Sequence, residues 1–167
     1  MVVISRKNTR YIVHLEEFNN KNMEKLFDTK FKYEKQFREK VIYKFSAAQG
    51  AEGNVFKYHW QCFAWAAVVG FLTEKPRRLE NIGDQSFSLK TMKDNGGERI
   101  AEALICMCIA KAGNVEILKT PEQAIELINE YANAGFYKLA ERLDERPLAG
   151  SDMEWVLQEI FEREIPE

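Results

Sequence analysis

Residues 54–80, NVFKYHWQCFAWAAVVGFLTEKPRRLE, contain a nearly continuous apolar run. The apolar side chains fall on every face of a helix drawn through about residues 54–72, and such a pattern predicts a buried central helix. Asn54 can act as its N-cap, because its side-chain oxygen can accept a hydrogen bond from an amide of the first turn. Pro76 disfavours helical geometry at the residue before it and therefore ends the helix. Polar residues interrupt the run before it reaches the about 20 apolar residues of a membrane span, so we expect no membrane contact.

The apolar run gives way to a small basic loop, residues 75–78. Lys75, Arg77 and Arg78 place three cations close together, and guanidinium groups suit bidentate pairing with phosphate or carboxylate. We therefore predict that these three residues, with Lys57 earlier in the segment, contact a polyanion or an acidic surface of a partner. The alternative is structural: the arginines pair within the chain, with neighbouring glutamates or with the acidic C-terminal helices.

The composition is that of a folded globular protein. Of 167 residues, 46% are apolar and 30% are charged, and the formal net charge is -2, which excludes a polycation that binds nucleic acid over its whole surface. Charge is uneven, since residues 122–167 hold 12 acidic and 4 basic side chains. This asymmetry indicates either two surfaces with different partners or solvated helix faces. The length favours a single helical domain, residues 1–167, with 1–20 as an arm and 151–167 as a C-terminal helix.

The pattern of the whole chain predicts a mainly α fold, a compact helical bundle around the central helix. Residues 21–45 carry aromatic residues at helical spacing and predict one or two amphipathic helices with a break near residues 28–29. Their lysines fit an outer, solvated face. The alternative interpretation is a nucleic-acid groove made of lysines between aromatic side chains. Two β-rich runs, 2–4 and 11–13, predict a short β-hairpin or an extended arm.

Helix boundaries are clearest in the second half of the chain. Residues 98–112 have one apolar face, and Gly113 is placed to end that helix in the left-handed conformation. Residues 120–123, TPEQ, resemble a helix start with proline in the first turn, and residues 89–93 predict one further helical turn. Residues 151–164 predict a last helix. A shared core is expected for six residues on three of these helices: Phe63, Val69, Leu104, Ile105, Ile128 and Tyr131.

No group of residues in the sequence predicts catalysis. His59 and Cys62 are three residues apart on one helix face, but a zinc site needs two more ligands. Cys106 and Cys108 are two residues apart, so their side chains diverge on a helix. We therefore expect no catalytic residues, no metal and no cofactor, and we expect all three cysteines to be buried, reduced and metal-free. Three cysteines without framework spacing, and a start without a signal-peptide core, predict a cytoplasmic protein.

Two stretches of the chain resemble a known family. The first is FAWAAVVGF at residues 63–71, followed by RRLE at residues 77–80; the second is INEYANAGF at residues 128–136. In this order they resemble the DNA phosphorothioation-associated protein 4 family, the accessory proteins of bacterial Dnd systems, over about residues 54–143. The chain departs from the family pattern where a proline precedes the arginines and where an alanine replaces a glycine.

The resemblance implies a non-enzymatic accessory or adaptor subunit of a bacterial anti-phage or DNA-modification system. Its implied partners are larger protein subunits of a defence complex, with DNA or RNA as further candidates. Two alternatives stay open: a small hydrolase or nuclease-like enzyme with its site in a helical cleft, and a transcriptional regulator of the same locus. Gly135 is expected to allow close approach to the central helix, or a bend. The family-like motif on the later helix consists of Glu130, Tyr131, Ala132, Asn133 and Gly135.

Overall fold

The chain folds mainly into helices arranged around one apolar helix. The computed structural model describes residues 5–6, 9–10, 20–46, 55–73, 75–83 and 87–145. Two short antiparallel strands come first and helices follow, which confirms the predicted mainly α fold class. The elements are β1 (Ser5–Arg6), β2 (Thr9–Arg10), α1 (Asn20–Asp28), a π-helical turn (Arg38–Ile42), α2 (Tyr43–Phe45), α3 (His59–Thr73), α4 (Leu89–Asp94), α5 (Glu98–Ala112), a 3-10 helix (Val115–Lys119) and α6 (Pro121–Glu145).

The central helix α3 begins later than the apolar pattern predicts. The sequence places its start at about residue 54, whereas the helix begins at His59. The reason is a pairing between distant backbone segments: the Phe56 amide donates to the Phe45 carbonyl oxygen at 2.8 Å. This bond ties the chain to the end of α2 and keeps it out of the helix. Asn54, the predicted N-cap, lies outside the described residues.

Helices α3 and α6 make the most extensive contact between helices, and they meet at two glycines. A Cβ atom on Gly70 would lie 1.9 Å from the carbonyl oxygen of Tyr131, and one on Gly135 would lie 1.8 Å from that of Ala66. Both carbonyls belong to helix backbones, so neither can move aside without distorting its helix. Both positions therefore require glycine. The predicted close approach of Gly135 to the central helix is confirmed.

The segment 20–46 packs aromatic side chains onto this helix pair. Helix α1 ends where the break was predicted, and an extended stretch then leads to the π-helical turn. The Phe31 ring centroid lies 4.8 Å from that of Phe63, and Phe37 stacks on Phe136 at 5.3 Å. The lysines of this segment remain at least partly exposed. The interpretation of aromatic residues facing the core and lysines facing solvent is therefore confirmed.

Local signals explain the remaining helix limits. Ser88 caps α4, because its hydroxyl accepts from the Thr91 amide at 3.3 Å while the Thr91 hydroxyl accepts from the Ser88 amide at 3.2 Å. Helix α5 spans the predicted residues and ends at Gly113, whose φ is 75°, and α6 begins at Pro121 as predicted. Of the six residues expected in a shared core, five are buried and one is partly buried against the same core: Phe63, Val69, Leu104, Ile128 and Tyr131, and then Ile105.

Three predicted segments lie outside the described residues: the last helix, residues 151–164, and the β-rich runs 2–4 and 11–13. Between those two runs, β1 and β2 pair antiparallel, as expected for a short hairpin. Within the part of the chain that the structure describes, no helix has both the length and the apolar character needed to cross a membrane.

The three cysteines have different surroundings. Cys62 and Cys108 are buried, as predicted, and burial raises the pKa of both thiols, that of Cys108 to about 11. Cys106 is exposed, so the prediction that all three cysteines are buried is wrong. Its position on α5 gives the reason: two residues of helix rotate its side chain by about 160° from that of Cys108, away from the buried face.

Candidate functional site

A buried carboxylate, Glu34, organises one surface of the molecule. It lies in the extended stretch between α1 and the π-helical turn and is 1% exposed. Tyr33 and Phe37 are anchored in the core on either side of it, so the backbone holds Glu34 below the surface. A buried charge is strongly unfavourable unless it is hydrogen-bonded. The donors that surround Glu34 therefore determine how this surface is built.

Four donors surround the Glu34 carboxylate. Its Oε2 accepts from Gln36 Nε2 at 2.6 Å and from the Tyr137 hydroxyl at 2.9 Å. Its Oε1 accepts from Asn133 Nδ2 at 3.0 Å and from the Glu80 amide at 3.2 Å. Burial alone would raise the pKa of Glu34, but these four hydrogen bonds stabilise the carboxylate and hold its pKa below the ordinary value. Glu34 is therefore charged at neutral pH.

Asn133 of α6 connects this carboxylate to the basic loop. Its side chain is fully buried, and its Nδ2 lies 3.3 Å from the Arg77 carbonyl oxygen and 3.1 Å from that of Arg78. One turn earlier on α6, Asn129 Oδ1 accepts from the Lys32 amide at 3.0 Å. The two asparagines thus hold the extended stretch and the basic loop against the same helix.

Both the main chain and the side chain of Arg77 are held in place. Its amide donates to the Glu130 carbonyl oxygen of α6 at 3.1 Å, and its guanidinium carbon lies 3.3 Å from the centre of the Tyr137 ring. Such a cation–π contact contributes about 0.5–2 kcal/mol, depending on exposure. Burial and the nearby Glu34 raise the pKa of Tyr137, while the Arg77 charge opposes them. Because the Tyr137 hydroxyl donates to Glu34, the Arg77 side chain is linked to the same carboxylate as the loop backbone.

An open groove of about 690 Å³ lies beside this network. Basic side chains reach it from three elements: Lys40 from the π-helical turn, Lys75 and Arg77 from the basic loop, and Lys138 from α6. We call it the basic groove. The remaining lining residues are Gln36, Phe37, Ala134, Tyr137, Ala140, Glu141 and Asp144.

The structure brings together three of the four predicted binding residues. Lys75, Arg77 and Arg78 have exposed side chains on one segment. Lys57 precedes α3 whereas the loop follows it, and this 15-residue helix separates them by roughly 22 Å. Within the described residues, no ion pair joins Arg77 or Arg78 to Glu80 or to α6. Binding of a partner by these residues stays a prediction.

Each residue of the family-like motif on α6 has a structural position that explains its type. Glu130 and Asn133 hold the basic loop through a carbonyl oxygen and a side-chain amide. Ala132 is fully buried, and Gly135 lies at the crossing with α3. Tyr131 packs against a phenylalanine of α3, with ring centroids 5.7 Å apart. The motif therefore holds the basic loop against α6 and forms the contact between α6 and α3.

Sequence reasoning missed Glu34, Tyr137 and two groove lysines, Lys40 and Lys138. A glutamate in a lysine-rich amphipathic segment is normally solvated, so nothing in the local pattern marks Glu34. A usable signal existed for Tyr137: it lies four residues after Asn133, and residues at that spacing are neighbours on a helix surface.

His59 and Cys62, considered above as possible ligands, lie in the first turn of α3, where Cys62 is buried in the core and His59 is half-buried. The His59 ring lies 5.5 Å from the Tyr43 ring, and burial, with the nearby Arg38 charge, lowers the pKa of the imidazole. Among the described residues, no group of three or more histidine, cysteine, aspartate or glutamate side chains could hold a metal ion. Cys62 therefore packs in the core, and His59 contacts the Tyr43 ring.

The fold and this surface define a small helical protein with a glycine-mediated helix crossing and a basic loop held by a buried carboxylate. The chain belongs to the family described as DNA sulphur modification system-associated protein 4, which matches residues 30–164. This match is wider than the resemblance seen over about residues 54–143, and it includes Glu34 as well as the motif on α6. No curated protein and no solved structure matches the chain.

Proposed function

We propose that this protein is a non-enzymatic accessory subunit of a bacterial Dnd-type DNA-modification or anti-phage system, and that it joins a larger assembly through its basic loop. The partners are larger protein subunits of the system, or nucleic acid that they carry. Such an assembly works in the cytoplasm, where the DNA is. Membership of the family supports the association with a sulphur modification system.

The observation that carries this proposal is the way the basic loop is presented. Its main chain is held by Asn133 and Glu130, while the side chains of Lys75, Arg77 and Arg78 are exposed. Ordering a loop on binding reduces affinity, because backbone and side-chain freedom are lost. A loop that is already ordered avoids most of that loss. Exposed cations on a fixed backbone suit an acidic or phosphate-bearing partner.

The first test removes two exposed cations whose side chains make no hydrogen bond, ion pair or ring contact within the described residues. The variant is K75A/R78A, and the matched control, K30A/R99A, removes the same charge from exposed positions outside the basic loop. We expect the free energy of unfolding of K75A/R78A to stay within about 0.5 kcal/mol of wild type, as is usual for surface substitutions. Co-purification of the other system subunits from the native host should fall at least tenfold. Equal co-purification by wild type, control and variant would refute the proposal.

A second variant tests whether the two arginines support the fold or bind the partner. R77A/R78A also removes the cation–π contact with Tyr137, so some loss of stability is expected. If the free energy of unfolding drops by more than about 2 kcal/mol while the folded fraction assembles normally, the arginines are structural. In that outcome the basic loop supports the fold and is not a contact surface.

A further inference from the structure

The basic groove gathers positive charge from three separate parts of the chain. Lys40, Lys75 and Arg77 line it together with Lys138. Four cationic side chains against two carboxylates, Glu141 and Asp144, leave the lining net positive, and a net positive groove favours a negatively charged ligand. Lys40 and Lys138 lie outside the basic loop, so the positive surface is larger than the sequence indicated.

The floor of the basic groove offers little apolar surface. Phe37 is 1% exposed, Ala134 5% and Ala140 8%, so the floor is already packed and contributes almost no hydrophobic driving force. The exposed lining residues are polar or charged, namely Gln36, Lys40, Lys75, Arg77, Glu141 and Asp144, while Tyr137 and Lys138 are half-buried. The groove therefore suits a ligand recognised by its charge rather than an apolar helix or peptide anchor.

The aromatic rings at the basic groove are already occupied. Arg77 covers one face of the Tyr137 ring at 3.3 Å, and the Phe37 ring stacks on Phe136 and meets the edge of Tyr137 at 4.8 Å. Proteins that bind single-stranded nucleic acid without sequence preference stack bases on exposed aromatic faces. Phe37 is buried and Arg77 covers one face of Tyr137, so the groove suits phosphates better than stacked bases.

The position of Arg77 adds a geometric reason. Its stacking on Tyr137 fixes the orientation of the guanidinium plane, and the outer edge of a fixed guanidinium can donate two parallel hydrogen bonds to one phosphate. Toward the C-terminal end of α6, Glu141 and Asp144 line the groove. These carboxylates repel phosphates, so the phosphates of a bound strand would lie against the four cationic side chains and away from Glu141 and Asp144.

We infer that the basic groove binds the phosphate backbone of duplex DNA, without reading its sequence. This inference rests on the proposed function and names the partner of the same surface. Four phosphate contacts give a log–log salt dependence of about -3.6, at about 0.9 per contact on duplex DNA. Affinity is that of non-specific binding, with a Kd of about 10⁻⁴–10⁻⁶ M at physiological salt. Such a contact orients the subunit on DNA that the larger assembly holds.

The test uses the full chain and a labelled duplex of about 20 base pairs, with fluorescence anisotropy over a salt series. The variant K40A/K138A changes only groove lysines outside the basic loop, and K30A/R99A again removes the same charge from exposed positions outside the groove. For K40A/K138A we expect about a tenfold loss of affinity at low salt and a slope smaller by about 1.8. The control should keep the wild-type slope. Thermal melts of both variants verify that each is folded.

The outcomes separate this inference from the proposed function. If K40A/K138A matches the control while K75A/R78A loses assembly, the groove is not the DNA site and the accessory function stands. Tighter binding of single strands than of duplex, or no binding of duplex by the wild type at low salt, also overturns the inference. If the wild type binds no duplex at low salt, poly-L-glutamate is used next, as a probe that represents an acidic protein surface. Failure of that probe, together with normal assembly of K75A/R78A, would overturn the proposed function as well.

Discussion

Glu34 keeps a full negative charge below the surface because donors from three parts of the chain converge on it. Gln36 comes from its own stretch, the Glu80 amide from the segment after the basic loop, and Asn133 and Tyr137 from α6. If the carboxylate were lost, these donors would be left around a group that cannot accept from all of them. Hydrogen bonds to a charged group typically contribute about 1.5–3 kcal/mol each, more than neutral ones.

We predict that E34Q destabilises the fold by about 1.5–3 kcal/mol at pH 7, because the amide accepts fewer of these bonds. It should also reduce the acid sensitivity of the protein. The pKa of Glu34 in the folded state lies below its ordinary value of 4.5, so as pH falls below about 4.5 the unfolded state takes up the proton first. Wild-type stability is therefore fully present above that pH and falls progressively below it. Urea unfolding at a series of pH values between 7 and 3.5 measures both effects.

The matched control for this experiment is E102Q, which changes an exposed glutamate on α5. It should leave stability at pH 7 nearly unchanged and retain the acid sensitivity of the wild type. An E34Q variant as stable as E102Q at pH 7, with the same dependence on pH, would show that Glu34 contributes nothing to the fold.

Single residues of this surface could not be placed from the sequence, and the reason is their separation along the chain. Glu34 meets Asn133 across 99 residues and Tyr137 across 103. Local periodicity carries no information on such contacts. Lys75, Arg77 and Arg78 were found because their charge is concentrated in one short segment.

Among the elements, the crossing of α3 and α6 depends on the absence of two side chains. Helix α3 has apolar residues on nearly all sides, so its own pattern does not select one face for contact. Gly70 and Gly135 select it, because the helix backbones approach most closely where neither carries a Cβ atom. The crossing also places Asn133, two residues from Gly135, below the basic loop. A change in the crossing would therefore shift the loop as well.

We predict that G70A and G135A each destabilise the protein by more than about 4 kcal/mol, or prevent folding, because each new Cβ would overlap a backbone carbonyl. Circular dichroism and urea unfolding measure the loss. On helix propensity alone, replacing glycine by alanine would stabilise by about 1 kcal/mol. The substitution A103G, at an exposed position of α5, measures the contribution of helix propensity separately and should lower the free energy of unfolding by about 1 kcal/mol. Alanine variants at the crossing that are as stable as wild type would contradict the close approach.

Elements were predictable from the sequence wherever the signal was local. Helix α5 carries its periodicity and its terminal Gly113 within 16 residues, and its predicted limits are correct. The start of α3 was predicted too early. The hydrogen bond from the Phe56 amide to the Phe45 carbonyl oxygen prevents an earlier start, and no local sequence pattern predicts that bond. The contact of Gly135 with α3 was expected, but its partner Gly70 was not named, since sequence alone does not align two helices.

Across the whole molecule, ion pairs between the basic and acidic parts of the chain neutralise some of the uneven charge. Lys25 pairs with Glu122, and Lys32 Nζ lies 4.0 Å from Glu126 Oε2. Each exposed pair contributes little to stability, but together they place the acidic first turns of α6 against the basic residues of α1 and the stretch after it. The later turns of α6 then carry Lys138 and the basic groove. These later turns also carry Glu141 and Asp144, so both signs of charge meet at the groove.

We predict that one thiol per chain reacts rapidly in the native protein and three react after unfolding. Cys106 is exposed, whereas Cys62 and Cys108 are buried in the core and their thiols have raised pKa values, so they react when the core opens. Mass spectrometry after a short maleimide pulse counts the modified thiols. The variant C106S should show no rapid reaction. Rapid modification of two or three thiols in the folded state would contradict the burial of this core.

The helix crossing also has a consequence for the order of events during synthesis. Gly70 lies on α3 and its contact with α6 is made near Gly135, so the ribosome must add 65 further residues before the two helices can meet. At about 5–20 residues per second, α3, the most apolar of the described helices, waits roughly 3–13 seconds for α6 to be made. During that time the nascent chain presents a nearly unbroken apolar surface, the kind of segment that chaperones hold and that aggregates when they do not. The close contact at Gly70 and Gly135 therefore ties the folding of α3 to the synthesis of α6.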